Sequence, residues 1–136
     1  ERVEEMIALT GLTPGANKKI GMLSKGYRQR VGFAQALIGN PDVLILDEPC
    51  SGLDVSIASD FYQILDALNK EGLTIIMATH DLDEIKSSNV RIICLASMVK
   101  FDGTMEEWIK NGEVQSSLNN KPYFICIIFM LCPNAF

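Results

Sequence analysis

Apolar positions along the chain recur first at helical spacing and then as short continuous runs, so helices and strands are expected to alternate. Val3, Met6, Ile7 and Leu9 fall near one side of a short helix in residues 1–12, which Gly11 and Pro14 terminate. Across residues 24–38 the apolar positions Val31, Phe33, Ala34, Leu37 and Ile38 repeat at helical spacing. Arg28 and Arg30 lie on the polar flanks of that helix, which Gly39, Asn40 and Pro41 close. Residues 43–46, VLIL, are uninterrupted apolar sequence with no polar face to turn to water, which suits the centre of a parallel sheet. Pro49 stops this strand.

Asp54 stands at the N-cap position of a second long helix that runs to Lys70, with Ile57, Phe61, Ile64, Leu65 and Leu68 toward the core and Gly72 at its end. A buried strand follows at residues 73–78, and a strand, helix and strand joined in this way predict a right-handed parallel crossover. Further on, the pattern predicts a short helix at residues 81–86, a strand at 90–96 and a hairpin arm at 98–101. Thr104 and Glu107 have capping-box spacing before a last helix at residues 105–111. The tail differs: residues 115–136 carry one charge, Lys121, and include the apolar run YFICIIFMLC at 123–132. That run is too short to span a bilayer and has high β-propensity. An extra buried strand, a partner-docking segment and an end from a shifted reading frame all remain open for it.

Length and composition narrow the class. At 136 residues and 48% hydrophobic, the chain can bury one ordinary core. A net charge of −5 without a basic run argues against nucleic acid as a direct ligand. Cys50, Cys94, Cys126 and Cys132 form no CxxC pair, and His80 is the one histidine, so zinc ligation has little support. The cysteines read as reduced cytosolic thiols, Cys94 above all as a packing residue inside a strand. No signal peptide is visible, and the first residue is Glu1, so the chain reads as part of a longer protein.

The chemistry-bearing residues cluster in three short motifs of fixed order: LSKGYRQR at residues 23–30, LILDEP at 44–49 followed by SGLD at 51–54, and TH at 79–80. Ligands collect at the carboxyl ends of parallel strands, where Asp47 and Glu48 stand. Over about residues 1–112 the order and spacing of these motifs resemble the ATP-binding-cassette (ABC) ATPase family. The resemblance implies an α/β fold: a P-loop NTPase-type parallel sheet flanked by helices. It divides the chain into part of the helical subdomain (residues 1–40), the C-terminal part of the ATPase core (41–112) and an unassigned tail (113–136).

By the same resemblance, Ser24, Lys25 and Gly26 occupy the signature motif that binds the ATP of the opposite subunit. Asp47 occupies the Walker B position that holds Mg²⁺ through water, and Glu48 that of the general base. Asp54 is the D-loop carboxylate, and His80 the switch residue at the γ-phosphate. The implied protein is the ATP-hydrolysing subunit of a transporter, dimeric with a second nucleotide-binding domain. It drives a transmembrane permease from the cytoplasmic face of the cell membrane.

The departures also matter. Lys25 replaces the first glycine of the family's LSGGQ pattern, Tyr27 its glutamine, and Cys50 a more usual threonine. The sequence contains no GxxxxGKS/T phosphate loop, and the adenine-stacking aromatic and Q-loop are also missing. Family topology sets the strand before that loop between those resembling residues 73–78 and 90–96. Its absence is expected to open the sheet in the middle, leaving two edges, one of which the apolar tail could cover. Two rival readings follow: a soluble ABC-type ATPase acting on ribosomes or DNA, and a non-catalytic interaction fragment. Ser51-Gly52 in the turn and the lack of heptads favour a transporter over the first.

Overall fold

The computed structural model describes residues 1–80, 82, 85, 90–113, 115 and 125–131, so the short helix expected at 81–86 falls largely outside the described residues. The first helix, α1 (Arg2–Leu9), buries Met6 and packs against α2 (Lys25–Leu37), which buries Gly26, Phe33, Ala34 and Leu37. Ser24 is the N-cap of α2, its hydroxyl accepting from the Tyr27 amide at 3.3 Å. Arg30, on the polar flank of α2, finds its partners outside that helix. It donates to the Thr10 carbonyl at 3.2 Å and lies 3.6 Å from the Asp60 carboxylate, joining three segments.

The central unit forms as the pattern predicts. Strand β1 (Val43–Asp47) leads through α3 (Val55–Lys70) to β2 (Thr74–Thr79), and the strands pair in parallel from Val43 opposite Thr74 to Asp47 opposite Ala78. Helix α3 buries Ala58, Phe61, Leu65 and Asn69, a stripe at helical spacing against the sheet, with Ile64 and Leu68 flanking it. Next, β3 (Arg91–Ala96) and β4 (Met98–Thr104) form the expected antiparallel hairpin. Helix α4 (Met105–Lys110) starts at Thr104 with both reciprocal bonds of the capping box in place.

The described part of the tail is a buried strand, the first of its three open readings. Strand β5 (Ile125–Met130) lies between β2 and β3, antiparallel to both, giving the order β1-β2-β5-β3-β4. Its alternation buries Cys126, Ile128 and Met130. Thus β5 covers an edge of each neighbour rather than of one. The buried Asn69 amide donates to the carbonyls of both Leu73 and Met130 at 2.8 Å, tying the end of β5 to the turn after α3.

Three expectations need correction. The sheet is mixed rather than parallel: among the described residues only β1–β2 is a parallel pair, because β5 enters in the opposite direction. Strand β1 is an edge and not a centre, with Leu44 buried but Val43 49% and Ile45 74% exposed. An all-apolar run shows that both faces tolerate cover; no described element supplies it on the open side. Finally, Cys94 and Cys126 are not reduced thiols but a disulfide. They face each other directly across the β3–β5 pair, where opposed side chains meet. Cys50 keeps its thiol, half-buried, and Cys132 lies outside the described residues.

Candidate functional site

Because β1 and β2 run in parallel, their carboxyl ends reach the same rim and deliver Asp47-Glu48 and Thr79-His80 side by side. The Glu48 amide donates to the Ala78 carbonyl at 2.9 Å, extending the ladder by one residue beyond β1. There the backbone swings to a φ of 43°, a left-handed conformation that costs a non-glycine residue about 1–2 kcal/mol. Local strain of this kind gathers where a side chain must be aimed. Here it aims the Glu48 carboxylate: one oxygen lies 2.7 Å from His80 Nδ1, and the other accepts from the Thr79 hydroxyl at 3.3 Å.

Glu48 is partly exposed and Thr79 is buried, so the carboxylate is anchored from below while open to solvent above. Asp47 beside it is exposed. Among the described residues no group of three or more His, Cys, Asp or Glu side chains could enclose a metal ion. One exposed carboxylate with a second next to it fits a hard cation that retains most of its water, as Mg²⁺ does, and does not fit a fully protein-made cage.

The turn after Glu48 links this rim to the start of α2. The Ser51 amide donates to the Glu48 carbonyl at 3.1 Å, the Leu53 amide donates to the Cys50 carbonyl at 3.0 Å, and Gly52 takes a φ of 68°. Lys25, the first residue of α2, extends its ammonium to the Ser51 carbonyl at 2.7 Å. Gly26 lies against Leu53 and Ile57; a Cβ there would be 3.4 Å from one and 3.5 Å from the other. The exposed N-terminus of α2, with Ser24 and Lys25, is thereby fixed next to the carboxylate rim, its backbone N–H groups carrying the positive end of the helix dipole. Asp54 holds the N-cap position of α3, but its side chain makes no capping bond and is exposed.

All seven residues singled out from the sequence therefore belong to one corner of the molecule. Glu48 and His80 touch, Lys25 reaches the turn between them and α2, and Ser24, Gly26, Asp47 and Asp54 stand around it. Thr79 as an anchor for Glu48, and Ser51 as the acceptor for Lys25, were not anticipated. The TH pair pointed to Thr79's neighbour, whereas a backbone carbonyl leaves no mark in sequence.

A sequence profile described as "ABC transporter" matches residues 1–51. The chain is 36% identical over 109 residues to the zinc uptake system ATP-binding protein of Listeria innocua, spanning 79% of this chain and 42% of that protein. Among solved structures it resembles cbiO1 of Clostridium perfringens, part of an ABC transporter complex, with a TM-score of 0.72 and 34% identity over 89% of this chain and 49% of that one. A dimeric bacterial ABC transporter cassette gives a TM-score of 0.59 at 34% identity, over 65% of this chain and 39% of that chain. The chain thus spans less than half the length of each of these relatives.

Proposed function

Since the chain belongs to the ABC transporter ATP-binding family, we propose that it is the carboxylate-bearing part of a longer subunit that hydrolyses ATP to drive transport. The observation that carries this reading is Glu48 itself. It is aimed by a left-handed backbone and held between Thr79 and His80 at the shared end of two parallel strands. In the proposed step Glu48 orients a water and takes its proton as the oxygen attacks the γ-phosphorus; ADP leaves with the bonding electrons. His80 holds Glu48 on one side and meets the γ-phosphate on the other. Asp47 would hold Mg²⁺, which would supply neutralisation of phosphate charge there.

Ser24, Gly26 and Asp54 face the ATP of a second nucleotide-binding domain across a dimer seam, whereas Lys25 beside them is turned to the Ser51 carbonyl. The exposed start of α2 and the dimeric relative support this arrangement. The further partner is a transmembrane permease, which places the subunit at the cytoplasmic face of a membrane; among the described residues no helix is long and apolar enough to cross one. In the full-length protein, Mg²⁺-dependent ATP hydrolysis should be measurable and should be lost in Asp47→Asn. A full-length protein without ATPase activity would sink the reading.

A second reading applies to the 136-residue chain by itself: a non-catalytic interaction fragment. It is favoured by β5, which pairs along both β2 and β3, and by the lack of a GxxxxGKS/T loop. Calorimetric titration with MgATP separates the two. Saturable binding by this chain alone excludes the second reading, and no binding supports it.

A further inference from the structure

We propose that Lys25 is a positioning residue: from the first turn of α2 its ammonium holds the Ser51–Gly52 turn, and through that turn Glu48, before any nucleotide arrives. Its kinetic consequence rests on the hydrolytic reading above; the brace itself does not.

A cation in the first turn of a helix opposes the helix dipole, so Lys25 has no favourable electrostatic partner in its own helix. It finds one outside, donating to the Ser51 carbonyl at 2.7 Å. On the preceding peptide unit, the N–H of Ser51 donates to the Glu48 carbonyl at 3.1 Å. Lys25, Ser51 and Glu48 thus form a continuous hydrogen-bonded path. The space for it comes from Gly52: a Cβ at that position would stand 2.5 Å from the Lys25 nitrogen, and its φ of 68° is one that side chains disfavour. Gly26 packs α2 against Leu53 and Ile57, which sets the distance Lys25 must span.

Glu48 needs such a brace because its φ of 43° is held at two points only in its backbone, the amide on Ala78 and the carbonyl on Ser51. Loss of the Lys25 bond loosens the turn that carries the second point and leaves the Glu48 carboxylate to its Thr79 and His80 contacts alone. A residue that merely touched phosphate would have no effect on the nucleotide-free turn.

Amide exchange measured by NMR on the nucleotide-free 136-residue chain tests the brace. Lys25→Met keeps the stem and removes the donor; it should speed exchange at Ser51 by about tenfold, with β3 and β5 unchanged, and Lys25→Arg should restore protection. Unaltered exchange at Ser51 in Lys25→Met overturns the proposal. In the full-length protein, Lys25→Met should lower kcat by about tenfold and leave KM for ATP unchanged, with recovery in Lys25→Arg. A raised KM at unchanged kcat also overturns it and makes Lys25 a phosphate ligand. Failure of the wild-type protein to hydrolyse ATP refutes the hydrolytic reading alone, because the exchange experiment still decides the brace.

Discussion

The two halves of the sheet divide the work between them. The parallel half, β1–α3–β2, ends in the exposed Asp47 and His80, the buried Thr79 and a half-exposed, left-handed Glu48, and its outer strand leaves Ile45 74% exposed. The antiparallel half, β3–β4 with β5, buries Ile92, Cys94, Cys126 and Ile128 completely, and adds a disulfide, the Arg91–Asp102 ion pair and a capped helix. The candidate chemistry therefore sits at the open carboxyl rim of the parallel pair, and the covalent and ionic cross-links where no reactive group is aimed. Strand β5 joins the halves, since β2 and β3 each pair with it and not with each other.

If that division holds, weakening the antiparallel half should lower stability without disturbing the Glu48 corner. The largest effect is expected from the disulfide, which closes a separation of 32 residues. Reduction should destabilise the chain by about 3–4 kcal/mol in chemical denaturation, while NMR signals of Glu48 and His80 in the remaining folded protein stay in place. Asn69→Ala comes next: the buried Met130 carbonyl and the half-buried Leu73 carbonyl lose this donor, at a cost of about 2 kcal/mol, with exchange rising first in β5 near Met130. Movement of the Glu48 signals in either experiment would break the comparison.

Thr104→Ala removes the N-cap of α4 and should cost about 1 kcal/mol, read from the melting temperature. The smallest expected effect is that of pH. The Thr104 amide, and secondarily its hydroxyl, hold the Glu107 carboxyl below its usual value, as the hydrogen bond from Arg91 does for Asp102. A lowered folded value adds stability above the ordinary carboxylate pKa, and that increment disappears as pH falls through the lowered one. Both groups are solvent-exposed, so acid melting should show a small loss that Thr104→Ala reduces.

The parallel unit was legible in the sequence because its signals are local. An apolar run, a proline, an N-cap position and a helix of helical spacing fix β1, α3 and β2 without reference to the rest of the chain. The same is true of the Thr104–Glu107 cap and of the Glu48–His80 pair, whose members close parallel strands. What was not legible depends on pairing between distant segments. The direction of β5, the meeting of Cys94 with Cys126 and the exposure of β1 follow from which strands sit side by side, and a run such as ICIIFM fits either direction equally well. Lys25 shows the same limit at the scale of one side chain, because its partner is a backbone carbonyl on a different element.

The most direct test of the proposed role of Glu48 is ATP turnover by the full-length protein carrying Glu48→Gln, measured together with its oligomeric state in ATP. Glutamine preserves the size of the side chain but cannot accept the water's proton. The predicted result is turnover reduced by about 10²–10⁴-fold with ATP-dependent dimerisation retained. Turnover equal to that of the wild type would contradict the account.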